Sequence, residues 1–598
     1  MAKISGVTKE LINLGIKDSF AKKIYKEYGE DSLVLIKENP YRLLEDFFGV
    51  TFREVDSLAE KLSLEPEDYR RITSGIFYGI RGLTENGSSC VPMDILLENV
   101  GPLILNVTME EVENSLWRMV QDGLIVVDEI SGINMVYNLA SYQSEVAVSE
   151  RLLQMLKGQD KTTLRDIEGI LSFIQRDTGV ALSEKQKTTI QSVMDHRVSV
   201  ITGGPGTGKT TIINGIFQLL RGEGEKTAIC APTGRAAKRI KEATGNYATT
   251  IHRLLEAELD EERHSVYFRR CHDYPLDIDA VIVDESSMLD IYLIEALLDA
   301  LPLGARIVLV GDVDQLPSVG PGKVLRDIIE SDAIPTYLLT EIFRQAKESL
   351  IVNNAHSINK GEYPESGKAD SDFFIYAAKS EIIESILDWM SGKSVCGITF
   401  LMDARDIQVI TMTKNGLYGT IELNKKLQHH LNPPTDDKPQ IQDWQGRIFR
   451  VGDKVMQTKN NYQLAWKSTE DFSDGIGIFN GEIGEIESVD VEFKQIGVIY
   501  DEVRYVTYEP KEWVNLDLAY AITVHKSQGS EFPGIIMPLT WTTPKLANRN
   551  LLYTAITRGR DQVVLVGSER MLQSMVDNYQ GDQRQTGLAY RLSTGGDL

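Results

Sequence analysis

Basic residues are outnumbered in this chain: 63 Lys and Arg face 87 Asp and Glu, a formal net charge of −24 over 598 residues. That balance excludes a protein that coats nucleic acid with a basic exterior. It leaves room for a basic groove on an acidic body, because contact charges act over roughly 10 Å in salt. Cysteine is scarcer. Cys90, Cys230, Cys271 and Cys396 are scattered, without paired or metal-type spacing, and the eight histidines do not gather around them. A disulfide framework and a structural zinc site are excluded, and free thiols in a reducing compartment, the cytoplasm, are expected. Long apolar runs are missing too. None approaches the ~20 residues of a membrane helix, and Met1–Ser5 has no signal-peptide core. No membrane association is expected. The chain is too long for one core and implies roughly three to five domains.

What is present is organised around Val198–Thr211. A short β-branched run reads as a buried strand, glycines break it, and Ile212, Ile213, Ile216, Leu219 and Leu220 resume at helical spacing. Between them lies Gly203-x-x-x-x-Gly208-Lys209-Thr210, a phosphate loop in its required strand–loop–helix setting. The glycines let N–H groups turn inward around a phosphate, and the helix start adds free N–H groups and its positive dipole end. Gly204, Pro205, Gly206, Thr207, Gly208, Lys209, Thr210 and Thr211 form the expected ATP-binding set. Within it, Lys209 reaches the outer phosphates and the Thr210 hydroxyl holds Mg²⁺.

Further strand–loop units follow the same logic. Upstream, Gln186 offers an acceptor and two donors, which suits an adenine edge. Thr227–Ile240 turns from strand into a helix carrying Arg235, Lys238 and Arg239, either single-strand phosphate contacts or a solvated basic face. Ala280–Glu285 is a buried strand ending in two acids: Asp284 is the expected Mg²⁺ ligand and Glu285 the general base. Arg306–Pro317 repeats the pattern, with Gln315 placed to bond the terminal phosphate. Four such units imply a parallel sheet with helices on both faces.

Together these blocks resemble superfamily 1 helicases, and closely the RecD-like ATP-dependent DNA helicases. The resemblance rests on Gly203–Thr210, Ala231-Pro-Thr-Gly-Arg-Ala-Ala, Thr250-Ile-His-Arg-Leu254, Val283-Asp-Glu-Ser-Ser-Met288 and Gly311-Asp-x-Asp-Gln-Leu-Pro-Ser-Val-Gly320. It covers roughly residues 180–570 and, less closely, the amino-terminal third. It implies two RecA-like parallel-sheet motor domains, ATP with Mg²⁺, and 5′-to-3′ movement on single-stranded DNA with unwinding of duplex and fork junctions by a monomeric motor. Pro232, Thr233, Arg235, Thr250 and His252 are then DNA contacts of the first domain. In the family a hairpin near residues 256–276 acts as a strand-separating pin; here the insertion is short.

In the second half, Leu338–Gln345 contains Arg344, and Leu551–Arg560 contains Arg558. Either guanidinium would stabilise charge on a transferring phosphoryl group if a second α/β domain closes over the nucleotide. Gln408–Gly419 resembles a DNA-contacting block, with Thr413 the phosphate partner. Residues 441–515 alternate β-rich runs with glycine turns and resemble the family's SH3-like β-barrel insertion. Ala519–Phe532 places Thr523, His525 and Lys526 at a backbone-tracking site; His525 also reads as a buried structural histidine. Ser527, Gln528 and Gly529 are placed to couple DNA to the nucleotide cleft.

At the other end, residues 1–70 resemble tandem helix-hairpin-helix units. Lys17 and Phe52 stand where a second loop glycine belongs, so packing is favoured over DNA contact. Residues 71–145 read as a winged-helix-like module. Glu110, Glu111 and Glu113 at its helix start would repel phosphates, favouring a scaffold or docking role. The expected organisation continues with a helical connector (146–180), the first motor domain (181–345), the second (346–440 and 516–570), and a tail (571–598) with a short helix and a disordered polar end. A rival reading, an ATP-switched DNA-binding or remodelling factor that does not unwind, shares every motif. A nuclease–helicase fusion is disfavoured, because no acidic cluster remains beyond the nucleotide chemistry.

Overall fold

The computed structural model describes residues 6–47, 49–157, 167–178, 182–260, 265–342, 348–368, 370–378, 381–471, 473–579 and 583–595. Val198–Gly203, Ala280–Val283 and Arg306–Gly311 are continuous, mostly aliphatic runs buried along their whole length. Such runs belong in a parallel sheet covered on both faces. They lie inside a six-stranded parallel sheet in the order Thr336–Leu339, Val198–Gly203, Arg306–Gly311, Ala280–Val283, Thr227–Ala231, Thr249–Thr250. Alternation sends Val200, Val281 and Leu309 to one face, against Ile294 and Leu297. Ile201, Ile282 and Val310 go to the other, against Ile212 and Ile216 of the helix Lys209–Gly222.

The second motor domain repeats the plan with five parallel strands: Phe373–Tyr376, Gly559–Gly567, Phe532–Leu539, Ile407–Thr411, Ala521–Thr523. Parallel strands bring all their carboxyl ends to one edge, which is where ligands bind in open α/β sheets. Between its strands is inserted a seven-stranded antiparallel unit, from Lys454–Gln457 to Leu516–Leu518, around Phe449, Val455, Ile486, Val498 and Val506. Buried Asp453 ties this insertion to the motor by accepting hydrogen bonds from Gln428, Asn432, the Arg450 amide and the Tyr520 hydroxyl.

The amino-terminal helices share one core, including Leu11, Ile24, Phe52, Ile76 and Leu116. The first hairpin turn, at Gly15, has its Leu14 carbonyl taken by Lys61 Nζ at 3.2 Å, an intramolecular use of that turn. The module behind it has three antiparallel strands, Cys90–Pro92, Ile133–Asn138 and Ile125–Ile130, beside the helix Met109–Gln121. Thr108 and Glu111 close a reciprocal capping box at that helix start. The four cysteines are free thiols, with Cys90 and Cys230 buried. Among the described residues no helix is long and apolar enough to cross a membrane.

The tail differs from the expectation of a loose polar end. Residues 583–595 run back across the molecule, and the helix Leu588–Ser593 docks on the amino-terminal half. Arg591 is only 1% exposed and pairs with Asp128 at 2.7 Å and Glu145 at 3.5 Å, lying over the Tyr142 ring. Glu145 also accepts from the Gly587 amide and the Tyr137 hydroxyl. Polarity misled the sequence reading because the partners lie more than 400 residues away in the chain.

Removing one member of a buried ion pair leaves the other charge uncompensated, at a loss of about 3–5 kcal/mol. Arg591→Ala is therefore expected to lower the first thermal transition by several degrees and expose residues 583–595 to protease. Adding Glu145→Gln should recover part of the loss.

Candidate nucleotide cleft and nucleic-acid face

The phosphate loop is curled by its own contacts. Gly206 and Gly208 have positive φ, 72° and 81°, a conformation strained for any side chain. Thr207 Oγ1 donates to the Gly204 carbonyl at 2.8 Å, and Lys209 Nζ donates to the carbonyls of Gly203 and Gly204 at 2.7 and 3.0 Å. Lys209, Thr210 and Thr211 form the first turn of the following helix, whose leading N–H groups lack intrahelical partners. Gln186 sits behind the loop rather than open to a base. Its amide donates to the Thr207 carbonyl and its carbonyl accepts from the Ser183 amide, so it braces the loop from a buried position.

Asp284 and Glu285 follow the strand Ala280–Val283, and each is 4% exposed. Glu285 sits in the left-handed region at φ 51°, strain of a kind found at functional sites. Burial and the neighbouring Glu285 charge push the Asp284 carboxyl up to about 6. Burial pushes Glu285 the same way, but Arg558, Arg239 and Lys209 outweigh it and hold that carboxyl below its usual value. Arg558, from the second domain and 2% exposed, lies 3.7 Å from Glu285 Oε1. Arg239 lies 3.9 Å from the same oxygen and equally far from Glu531, and Lys238 pairs with Asp501 of the insertion. Arg344 lies outside the described residues.

The loop after Arg306–Gly311 joins the two domains. Asp312 Oδ2 accepts from Gln315 Nε2 at 3.2 Å and from the Tyr553 hydroxyl of the second domain at 2.8 Å. Thr554 accepts from the Leu316 amide, Asn550 donates to the Asp314 carbonyl, Asn359 donates to the Asp314 carboxylate, and Gln528 donates to the Leu316 carbonyl. Asp312, Tyr553, Asn359 and Arg239 were not singled out for these roles from sequence. Tyr553 sits in a recognisable block, but its partner is 241 residues away.

On the expected nucleic-acid face, Thr233, Thr250 and Thr523 share one device. Each ends a parallel strand or its exit and caps the helix that follows, accepting from the amides of Ala236, Arg253 and Lys526. Pro232 immediately precedes the first of these caps. Thr413 Oγ1 donates to the Asn415 carbonyl. Arg235 donates to Ser530 and lies over Phe532, bridging the domains. Lys526 donates to Thr458 and Asn480 of the insertion. His525 lines a cleft of about 640 Å³ with Gln315, Ser318 and Arg584, and burial lowers its pKa. His252, whose pKa burial also lowers, lies between Phe268 of the hairpin Ala257–Asp260/Ser265–Phe268 and Tyr462 of the insertion.

Family models match four stretches: the ATP-dependent RecD2 DNA helicase HHH domain at residues 1–90, an AAA domain at 186–321, the ATP-dependent RecD-like DNA helicase SH3 domain at 423–500, and the UvrD-like helicase C-terminal domain at 518–566. The ATP-dependent RecD2 DNA helicase of Deinococcus radiodurans is 30% identical over 593 residues, covering 97% of this chain and 77% of that protein. The chain belongs to the RecD2 family of ATP-dependent DNA helicases. The RecBCD enzyme subunit RecD of Mycolicibacterium smegmatis is 29% identical over 450 residues, covering 69% of this chain and 76% of that one. A Bacteroides Pif1 helicase structure aligns over 66% of this chain at 20% identity with a TM-score of 0.39, too distant to carry an argument.

The donor set suits a hard cation: the Asp284 carboxylate and the Thr210 hydroxyl are oxygen ligands, and no basic side chain among the described residues forms an ion pair with Asp284. Because the folded carboxyl titrates near 6, above the ordinary carboxylate value, its ionised form is disfavoured by the ligand-free fold. The penalty is present above pH 6 and fades as pH falls toward the unfolded value near 4. Asp284→Asn is expected to raise the melting temperature of the ligand-free protein at pH 7.5 by roughly 2 °C or more, with the gain vanishing near pH 4.5. Calorimetry at the two pH values checks this.

Proposed function

We propose that this chain hydrolyses ATP between its two parallel-sheet lobes, moves 5′ to 3′ along single-stranded DNA, and parts the duplex at forks ahead of it. Family membership supports the reaction class and the polarity. The observation that carries the coupling is the approach of Arg558, from one lobe, to within 3.7 Å of Glu285 in the other. A cleft completed from both sides changes its grip when the triphosphate becomes diphosphate, and that change is the step.

In this reading the loop N–H groups of residues 204–208 and Lys209 hold the phosphates. Mg²⁺ held by Thr210 and Asp284 would neutralise charge on the outer phosphates. Glu285, kept ionised by Arg558 and Arg239 despite burial, accepts the proton of the attacking water. On nucleotide entry Arg558 turns from Glu285 to the transferring phosphoryl group, which releases the base; Arg558 and Arg344 together stabilise the developing charge. Gln315 contacts the terminal phosphate and reports its loss through Asp312 and Tyr553. Gln186 steadies the loop beside the adenine. The strand runs over Pro232, Thr233, Arg235, Thr250, His252, Thr413, Thr523, His525 and Lys526, with capped helix starts offering N–H groups to phosphates. The motor acts as a monomer in the cytoplasm.

Strand displacement on forks with a 5′ or a 3′ single-stranded arm tests direction and unwinding together. Release only from 5′-armed forks is expected; ATP hydrolysis without release from either would sink the reading in favour of a switched remodelling factor. Lys209→Ala should abolish hydrolysis and unwinding while single-strand binding persists. Arg558→Ala should lower kcat by about 10³-fold with nucleotide binding retained, measured by DNA-stimulated phosphate release.

A further inference from the structure

The phosphate loop is approached from the second domain by a group that the sequence motifs do not include. His356 lies in the helix Leu350–Lys360 of that domain. Its ring faces Gly204: a Cβ built on that glycine would meet His356 Cε1 at 2.8 Å and the Tyr553 hydroxyl at 3.2 Å. A side chain at 204 would therefore force the His356 ring to shift. The Tyr553 hydroxyl is engaged with Asp312. His356 Nε2, by contrast, is buried and has no hydrogen-bond partner among the described residues. A buried ring nitrogen without a partner carries a desolvation penalty that a native fold rarely leaves in place. Here the Cε1–Nδ1 edge of that ring lies against Gly204 of the loop that Lys209 and the free helix N–H groups prepare for phosphate.

We propose that His356 is a nucleotide-contacting residue delivered by the second domain, its Nε2 donating a hydrogen bond to the terminal phosphate of ATP. The inference rests on the ATP site described above. ADP lacks the acceptor, so His356 favours the triphosphate and helps draw the lobes together only while that phosphate is present. Lys209 cannot supply this distinction alone, because it belongs to the same lobe as the loop.

The test is equilibrium binding of Mg·ADP and of Mg·AMP-PNP, a non-hydrolysable triphosphate, to the full chain carrying His356→Ala or His356→Gln. His356→Ala should weaken AMP-PNP by about tenfold or more, the scale of a hydrogen bond to a charged group, and leave ADP within about twofold. The glutamine variant, which keeps an N–H donor, should recover part of the loss. Unchanged AMP-PNP binding, or equal weakening of both nucleotides in both variants, overturns the proposal. Failure of the wild-type protein to bind either nucleotide would instead overturn the ATP site itself.

Discussion

The carboxylate of Asp312 holds the molecule's two halves to one another. It accepts from Gln315 within its own loop and from Tyr553 in the opposite lobe, and it does so from a buried position. A buried carboxylate needs its partners, so neither bond is readily given up. Gln315 and Tyr553 therefore share one acceptor, and Tyr553 stands against Gly204 of the phosphate loop. The circuit closes through two loops at the carboxyl edge of the first parallel sheet and the helix Arg549–Ile556 of the second domain. That edge is available because alternating aliphatic strands bury both faces of each sheet and leave only their ends for chemistry.

The same geometry resolves the electrostatics. Two acids side by side in a dry cleft cannot both carry charge without help. Arg558 and Arg239 converge on Glu285 from different lobes and keep it ionised, whereas Asp284, with no such partner, is the one whose carboxyl is pushed up. The two residues differ in environment more than in chemistry, and that difference pushes their carboxyls in opposite directions. Thr233, Thr250 and Thr523 each cap the helix that follows a parallel strand, so all three turns are built alike.

Legibility in the sequence followed range. The phosphate loop, the Thr108–Glu111 capping box and the strand ending at Asp284 are local patterns, and each was readable where it stands. Family resemblance extended that reading to the insertion and the second lobe. Contacts across hundreds of residues were not readable: Asp312 with Tyr553, Arg591 with Glu145, and the ring of His356 over Gly204 leave no local signature. One reading failed for this reason. The polar carboxyl-terminal segment was taken at its local character as a loose end, and Arg591 within it is instead placed by distant acids, because a charged side chain is buried only where the fold supplies its counterpart.

That rule also explains how the tail bears on the cleft. Arg584 donates to the carbonyls of Ser318, Gly320 and Gly322, and the Gly322 amide donates to the Gly87 carbonyl of the amino-terminal half. These residues directly follow Gln315 in the chain. One loop is thus gripped at its start by Tyr553 and at its end by Arg584, both from the carboxyl-terminal half, while its far side rests on the amino-terminal modules. A loop fixed at both ends cannot shift at Gln315 without loading one grip or the other. Arg591, sealed against Glu145, keeps the second grip from simply following. The amino-terminal modules thus meet that loop directly, through the Gly87 carbonyl, and meet the tail through Glu145 and Asp128.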